Sequence, residues 1–266
     1  MYIGGHDGSY ITTNTLVEGN YIHHTRGTSS GGNDGVEIKF GSYGNIVRDN
    51  VIHDTNIGRK YPGIFVYGGG KGINIVEGNI IWNAGEGIQV VSDAVIRNNI
   101  IFNCSATGIT AAPHAAVPHV RNVKIVNNTI VNNPRGILFR WEKAERMIFA
   151  NNAVYCPGST AIDAAGIEGS IFSANYITGR LVGVTLDGSA FCDGGTIEAA
   201  FMAPAQQNYW PRPGSVLTDH ADKDFAAGMD FNHTARKPPF DVGAYESQVN
   251  SANPGWRIQE GFKANQ

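Results

Sequence analysis

One short phrase recurs along this chain at intervals of 20 to 30 residues. It consists of an asparagine, one variable residue and an isoleucine or valine, and a loop then leads to a second phrase of the form Gly-Ile-x-Val. The asparagines that begin the phrase are Asn20, Asn50, Asn79, Asn99, Asn128, Asn152 and Asn175. A constant phrase with variable gaps is typical of a solenoid whose coils are fixed and whose loops differ in length. We therefore predict a repeat protein with its functional residues in loops and on one strand face.

The apolar runs predict strands rather than helices. They last four to six residues and end at turn residues, whereas an amphipathic helix needs a periodic segment of about 10 to 12 residues. We predict three short strands in each repeat. The third strand, residues 63–67 for example, shows the period-2 alternation of a half-buried strand. The predicted fold class is all-β, a right-handed parallel β-helix of about seven rungs over residues 13–188. We divide the chain into a β-helix, 1–188, and a C-terminal tail packed on it, 189–266.

The alternation assigns residues to the interior or to the outer face. Two interior columns are predicted, with one residue per rung in each: Val36, Ile64, Ile88, Ile109, Ile137, Ile162 and Val184, and Ile38, Val66, Val90, Ala111, Phe139, Ala164 and Leu186. Two solvent-facing columns are predicted between them: Glu37, Phe65, Gln89, Thr110, Leu138, Asp163 and Thr185, and Lys39, Tyr67, Val91, Ala112, Arg140, Ala165 and Asp187. The repeated asparagines predict a ladder of hydrogen-bonded side-chain amides at one turn of every rung.

Composition limits the partners and the compartment. The net charge is −3 and the lysines and arginines do not cluster, so we expect no nucleic-acid partner. No apolar run is long enough to span a membrane, and the first 20 residues lack the apolar segment of a signal peptide. Because the repeat begins almost at Met1, we expect a truncated N-terminus or one left by a removed leader, in a secreted or cell-surface protein. Cys104 and Cys156 fall two rungs apart, too far for a disulfide, and are expected to be free thiols.

The repeat fades after about residue 188. Residues 194–208 predict one short helix, and the loop-rich remainder is expected to pack on the last rungs and cover their open edge, since an uncovered rung would present unpaired backbone groups.

These features resemble a known family. Residues 13–188 resemble the right-handed parallel β-helix repeats of pectate-lyase-like proteins. The tail, from Asn208 to Ser215 and on to the stretch between Asp241 and Glu246, is similar to the ending of many bacterial extracellular β-helix proteins. The resemblance implies a protein that faces polysaccharides. It fixes no reaction, because lyases, hydrolases, epimerases and adhesins share this fold.

The best candidate site is a cluster of outward residues on the first two Gly-Ile-x-Val rungs. A uronate lyase needs a cation near the substrate carboxylate and a group that removes the neighbouring proton, and these side chains are of the right types. We predict as catalytic residues Lys39, Tyr67 and Glu37. We predict as substrate-binding residues Phe65, Arg140, Gln89, Lys71 and His114. Long loops that carry Arg26, Arg59, Lys60 and His119 flank the same place. The alternative interpretation is a solvated patch that serves only cross-strand pairing.

Other chemistries have weaker support in the sequence. No cofactor is required and no metal site is predicted; Asp34 and Glu37 leave Ca²⁺ open, but the second acid of Ca²⁺-dependent lyases is missing. A glycoside hydrolase needs two carboxyl groups about 5 to 9.5 Å apart, and only Asp34 and Glu86, about 9.6 Å apart, come near this. His114 and His119 lack the further ligands of a zinc site.

A side column of aromatic residues offers a structural explanation for two histidines. His23 and His53 share this column with Trp82, Phe102 and Tyr155, so we expect stacking.

Two functions follow from these observations. The first is a secreted polysaccharide lyase that cleaves an acidic, uronate-containing glycan by β-elimination. The alternative is a non-catalytic β-helix that binds glycans or serves in adhesion. The oligomeric state is open.

Overall fold

The computed structural model describes residues 1–25, 34–55 and 61–248. Arg26, Arg59 and Lys60, and the loops that carry them, lie outside the described residues. Among the described residues the elements follow in the order β1 (Tyr2–Ile3), β2 (Leu16–Glu18), β3 (Tyr21–His23), β4 (Val36–Ile38), β5 (Ile46–Arg48), β6 (Val51–His53), β7 (Pro62–Val66), β8 (Asn74–Glu77), β9 (Ile80–Trp82), β10 (Glu86–Val90), β11 (Ser92–Arg97), β12 (Ile100–Phe102), β13 (Thr107–Ala111), β14 (Arg121–Val126), β15 (Thr129–Val131), β16 (Arg135–Arg140), β17 (Ile148–Ala150), β18 (Ala153–Ala165), β19 (Ile171–Ser173), β20 (Asn175–Val182), β21 (Phe191–Asp193), α1 (Ile197–Ala200), β22 (Phe201–Ala203), a 3₁₀ turn (Pro204–Gln206) and β23 (Asn208–Pro211).

The strands form three faces of a parallel solenoid. The back sheet contains β2, β5, β8, β11, β14, β17 and β19. The flank sheet contains β3, β6, β9, β12 and β15, and the front sheet contains β1, β4, β7, β10, β13 and β16. The long strands β18 and β20 run through both flank and front, so these two sheets join at that end. Within the described residues the chain passes back, flank and front seven times, which confirms the predicted β-helix of about seven rungs.

The core lies between the three faces and is built from stacked, like side chains. On the front sheet Ile64 pairs with Ile88, which pairs with Ile109, and all three are fully buried. The predicted interior columns are confirmed from Val36 to Ile162 and from Ile38 to Ala164.

The last rung departs from these columns. Leu181, not the predicted Val184, pairs with Ile162, and the predicted interior residue Leu186 is 48% exposed. Val182, not Thr185, pairs with Asp163, and Thr185 and Asp187 lie beyond the strand. The register shifts between Tyr155 and Ile162, where a shorter connection replaces the Gly-Ile-x-Val phrase, and this shift explains the error.

The repeated asparagines form the predicted ladder. Each side-chain Nδ2 donates to the Oδ1 of the next asparagine, from Asn20 through to Asn175, over 2.9 or 3.0 Å. The residue before each asparagine has a positive φ between 49° and 65°. Glycine, asparagine and aspartate reach this conformation at least cost, which explains why six of these seven positions carry one of the three.

The tail covers the flank of the β-helix. Ile197, Phe201, Tyr209, Leu217 and Phe231 join flank residues in a second buried cluster that is separate from the interior core. Residues 197–245 therefore pack beside the strands, whereas we expected the tail to cover the open edge of the last rung. The predicted short helix within 194–208 is present as α1.

Buried polar contacts attach the tail to the turns before the ladder. The side chain of Arg236 is fully buried and donates to the Oδ1 of Asn98 over 3.1 Å, to five backbone oxygens, and to Glu246 over 3.4 Å. Asn127 Nδ2 donates to the backbone oxygens of Asp241 and Gly243. The turns repeat the same geometry from rung to rung, so the side-chain amides of Asn98 and Asn127 lie in a row and hydrogen-bond to the tail.

The cysteines and the absence of a membrane-spanning helix among the described residues complete the fold. Cys104, Cys156 and Cys192 are buried free thiols. Of the described residues, none belongs to a helix with the length and apolarity required to span a membrane.

Candidate functional site

The candidate cluster lies at the N-terminal end of the front sheet. Glu37 on β4 pairs in register with Tyr2 on β1 and with Phe65 on β7. Lys39 follows β4 and Tyr67 follows β7, so their side chains occupy the next outward positions on the same two rungs. We call Asp34, Glu37, Lys39, Tyr67 and His114 the front cluster.

Four residues predicted to face solvent at this place are buried, and this corrects the predicted solvent-facing columns. Glu37 is 3% exposed, Lys39 4%, Phe65 5% and Tyr67 8%. A loop, residues 112–120, folds back over the sheet and places Val117 against Phe65, Tyr67 and Val91. Tyr2 and His6 lie against Lys39. Thr110 and Val91 in the same columns are also buried.

A tight turn shapes this covering loop. The backbone N–H of His114 donates to Val117 O over 3.0 Å, and the N–H of Val117 donates to His114 O over 2.8 Å. The turn brings the imidazole of His114 to 4.8 Å from the ring of Tyr67 and 5.5 Å from the ring of Phe65, edge-on in both cases. The loop ends at Arg121, which pairs with Asp93 over 3.3 Å.

Lys39 holds a central position in the front cluster. Its Nζ donates to Glu37 Oε1 over 2.5 Å and lies 3.4 Å from His6 Nδ1. The ammonium also lies over the ring of Tyr2, at 4.3 Å, and 5.6 Å from the ring centre of Tyr67. A carboxylate and two aromatic faces thus stabilise a buried positive charge.

Asp34 and Glu37 form a hydrogen-bonded acid pair. Burial, the charge of Glu37 and the hydrogen bond to it raise the pKa of Asp34 to about 8, and Lys39 offsets only part of this. At neutral pH Asp34 therefore keeps its proton, because two buried carboxylates in contact cannot both ionise cheaply. Oδ1 of Asp34 is buried without a hydrogen-bond partner. The sequence offered Asp34 and Glu86 as a marginal carboxyl pair for a glycoside hydrolase. The carboxyl group of Asp34 is hydrogen-bonded to Glu37 instead.

Two neighbours have shifted proton affinities. Burial, the charge of Glu37 and a hydrogen bond to Glu37 raise the pKa of Tyr67 well above its usual value, so its hydroxyl stays protonated. Burial lowers the pKa of His114, and the attraction of Glu37 only partly offsets this, so its imidazole is neutral at neutral pH. A proton donor and a proton acceptor thus lie side by side with an ammonium group.

The remaining predicted residues lie outside the front cluster. Gln89 is half-buried one rung beyond Phe65, and Lys71 is exposed in the loop after β7. Arg140 lies three strands beyond Tyr67, about 14 Å along the axis. Its Nη2 pairs with Asp163 Oδ1 over 3.0 Å.

Two residues at this place, Tyr2 and His6, were absent from the predicted site. The hydrogen bond between Asp34 and Glu37 was not predicted either. Tyr2 and Ile3 form the short front strand β1, and its sign in the sequence is Ile3, which pairs with Ile38 of the interior column.

No cluster of three or more His, Cys, Asp or Glu side chains suited to a metal ion occurs within residues 1–25, 34–55 and 61–248.

Comparison with known families agrees with this architecture. The family described as right handed beta helix region matches residues 4–154, more than half of the chain. The chain belongs to this family. No curated protein matches the chain. The right-handed β-helix is therefore established, and the front cluster lies within the part that matches the family.

Proposed function

We propose that this β-helix protein cleaves an acidic, uronate-containing polysaccharide by β-elimination at the front cluster. One observation carries the proposal: a protonated phenol, a neutral imidazole and an ammonium group meet at one place on the outer face. These are the proton donor, the proton acceptor and the positive charge that β-elimination next to a carboxylate requires.

The proposed reaction assigns one role to each group. Lys39 neutralises the substrate carboxylate, and its Nζ is held in place by the hydrogen bond that it donates to Glu37 Oε1. His114 Nε2 or Nδ1 takes the proton from the carbon beside that carboxylate. The electron pair forms the new carbon–carbon double bond, the bond to the glycosidic oxygen breaks, and Tyr67 donates its hydroxyl proton to the leaving oxygen. The proton on His114 then passes to the tyrosinate of Tyr67, which restores both groups. Atoms and charge balance within one sugar linkage.

The exposed rim supports access for such a substrate. Tyr2 is 54% exposed, His6 is exposed and His114 is half-buried, so a sugar carboxylate reaches Lys39 by displacing the ring of Tyr2 from the ammonium group. Farther along the sheet, Arg140 is placed to hold a second acidic unit. The same proposal places the protein outside the cell, where it would meet such a polymer.

The reaction as proposed uses no Ca²⁺. The front cluster has two carboxyl groups, one of them protonated, and the ammonium of Lys39 takes the position beside Glu37 that a cation would need. Ca²⁺ prefers six to eight oxygen ligands, and this donor set does not supply them. Cleavage should therefore persist in a chelator.

The experiment is a screen of galacturonate, glucuronate and mannuronate polymers, following the ultraviolet absorbance of the unsaturated product. On the polymer that reacts, Tyr67→Phe and His114→Gln should each lower turnover about 10² to 10⁴-fold while binding is retained. The matched control is Tyr209→Phe, the same change at a buried tyrosine of the tail, which packs on the flank sheet. Wild-type turnover in both front-cluster variants would refute the assignment.

The burial of Glu37 and Lys39 favours a second candidate, glycan binding without cleavage. In that case a polymer binds but yields no unsaturated product, and Arg140→Ala weakens binding while Tyr67→Phe has no effect.

A further inference from the structure

A chain of hydrogen-bonded side chains crosses the flank sheet at its N-terminal end. Asn83 Nδ2 donates to Asp54 Oδ1 over 3.1 Å. Asp54 Oδ2 lies 2.7 Å from His53 Nδ1, and His53 Nε2 lies 2.7 Å from the hydroxyl of Tyr21. We call Tyr21, His53 and Asp54 the flank triad.

The solenoid positions each member of the flank triad. Tyr21 and His53 lie on the adjacent strands β3 and β6, one rung apart. Asp54 follows β6 in the left-handed conformation, with φ 51°, and Asn83 occupies the same position one rung later, with φ 50°. This backbone turn directs the Asp54 carboxylate back to the ring of the residue before it.

Stacking fixes the imidazole of His53. Its ring lies parallel to that of Trp82, with centroids 4.4 Å apart and 7° between the planes. On the other side it lies parallel to His23 at 5.3 Å. The predicted aromatic stacking is thus confirmed for His23, His53, Trp82 and Phe102. Stacking alone leaves unexplained why both ring nitrogens of His53 have partners, because the neighbouring Trp82 stacks equally well without them.

The charges set the direction of the hydrogen bonds. Burial raises the pKa of Asp54, but the hydrogen bonds from His53 and Asn83 outweigh it, and the pKa is below its usual value. Asp54 is therefore a carboxylate at neutral pH and accepts the Nδ1 proton of His53. The Nε2 lone pair then faces Tyr21, whose hydroxyl donates to it. This is the arrangement of nucleophile, base and orienting acid that activates a hydroxyl group.

The tyrosine is the member that a substrate can reach. Tyr21 is 37% exposed, whereas His53 is 7% exposed. Of the rungs whose flank turns are described, only this one places a carboxylate on one nitrogen of a histidine and a hydroxyl on the other. The tail packs on the flank at Val51 and Ile80 and contacts Asp49 through His233, and it leaves Tyr21 partly exposed.

We propose that Tyr21 is a nucleophile for acyl transfer and that the flank triad is a second reactive site, which takes a carboxylic ester. Tyr21 Oη attacks the ester carbonyl carbon, and His53 Nε2 accepts the phenol proton. The tetrahedral adduct collapses, the bond to the ester oxygen breaks, and His53 returns the proton to the departing alcohol. Water then attacks the acyl-tyrosine, with its proton passing through His53, and releases the carboxylic acid and Tyr21. Asp54 is a positioning residue, which holds the imidazole in one tautomer.

This proposal is independent of the proposed lyase function, because the flank triad shares no residue with the front cluster. The first test is labelling of the intact protein with phenylmethylsulfonyl fluoride, followed by peptide mass spectrometry. Tyr21 should react at least about 100-fold faster than Tyr10, which is 76% exposed and serves as the internal reference. His53→Phe keeps a stacking ring and should remove this preference. Asp54→Asn should reduce it by about 10-fold or more with an unchanged thermal unfolding temperature, an effect that a purely structural role would not give.

The second test is hydrolysis of 4-nitrophenyl acetate. We expect an initial burst of one nitrophenolate per chain, abolished in Tyr21→Phe and retained in Tyr10→Phe, the same change at an exposed tyrosine outside both sites. Equal labelling of Tyr21 and Tyr10, no label on Tyr21, or an unchanged preference in His53→Phe would overturn the activated nucleophile. Selective labelling without a burst would overturn the assignment to esters.

Discussion

Asp34→Asn should change how the stability of this protein depends on pH. The ordinary pKa of an aspartate is 3.8, and in the folded protein the pKa of Asp34 is raised to about 8. Between these values the folded state holds one proton at Asp34 that the unfolded chain has lost. The free energy of unfolding of the wild type therefore falls as pH rises, by about 1.4 kcal/mol per pH unit from this group. The stabilising contribution is fully present below about pH 4 and is lost by about pH 8.

The asparagine variant imitates the protonated acid and has no proton to lose. The difference in free energy of unfolding, variant minus wild type, should therefore grow by about 2.7 kcal/mol between pH 5 and pH 7. Urea unfolding followed by tryptophan fluorescence at pH 5, 6 and 7 measures this difference, and Gln89→Ala, a change without an ionisable group on the same sheet, should give a curve parallel to the wild type. Parallel curves for Asp34→Asn would refute the acid pair with Glu37, because Asp34 would then titrate alike in both states.

Three further predictions concern stability. Asn99→Ala leaves the buried backbone and amide donors of Asn79 without their acceptor and should cost about 2 to 6 kcal/mol in urea unfolding, whereas Asn20→Ala, at the end of the ladder where its Oδ1 accepts no ladder bond, should cost under about 1 kcal/mol. Ile88→Ala opens a cavity between packed rungs and should cost about 2 to 5 kcal/mol, against about 0.5 kcal/mol for Gln89→Ala; equal losses would reverse our inward and outward assignment. Arg236→Met strands buried Glu246 and should cost about 3 to 5 kcal/mol, seen as faster hydrogen exchange in residues 217–246 than in the front sheet.

The sequence predicts the regular part of the fold because periodic side chains encode it. Asparagine before an apolar pair gives the ladder, and alternation within Gly-Ile-x-Val gives the interior columns as far as Ile162 and Ala164. The prediction fails at Val184 and Leu186, where the connection between the flank and front strands is shorter. The first interior residue of the front strand is therefore Leu181, which is earlier in the sequence than the Gly-Ile-x-Val phrase indicates. Local periodicity therefore specifies packing only while the loop lengths keep the rungs in register.

The site could be predicted only in part, for a different physical reason. Outward positions follow from alternation, so Glu37, Lys39 and Tyr67 could be grouped correctly. Their burial could not, because it depends on segments distant in sequence: the loop 112–120 places Val117 against Tyr67, and Tyr2 lies against Lys39. Asp34 precedes β4, so strand alternation does not set its direction, and rung spacing alone paired it with Glu86.

Both candidate sites join residues of adjacent rungs. Tyr21 and His53 are 32 residues apart in sequence yet hydrogen-bonded, and Glu37 and Tyr67 meet in the same way across β4 and β7. A change in loop length between two such strands leaves their pairing intact, because the loop lies outside the sheet. A one-residue insertion within a strand would move every following side chain to the opposite face and separate the pair. Strand register therefore specifies which strand residues meet, and the loops and turns add further groups, such as His114 beside Tyr67 and Asp54 beside His53.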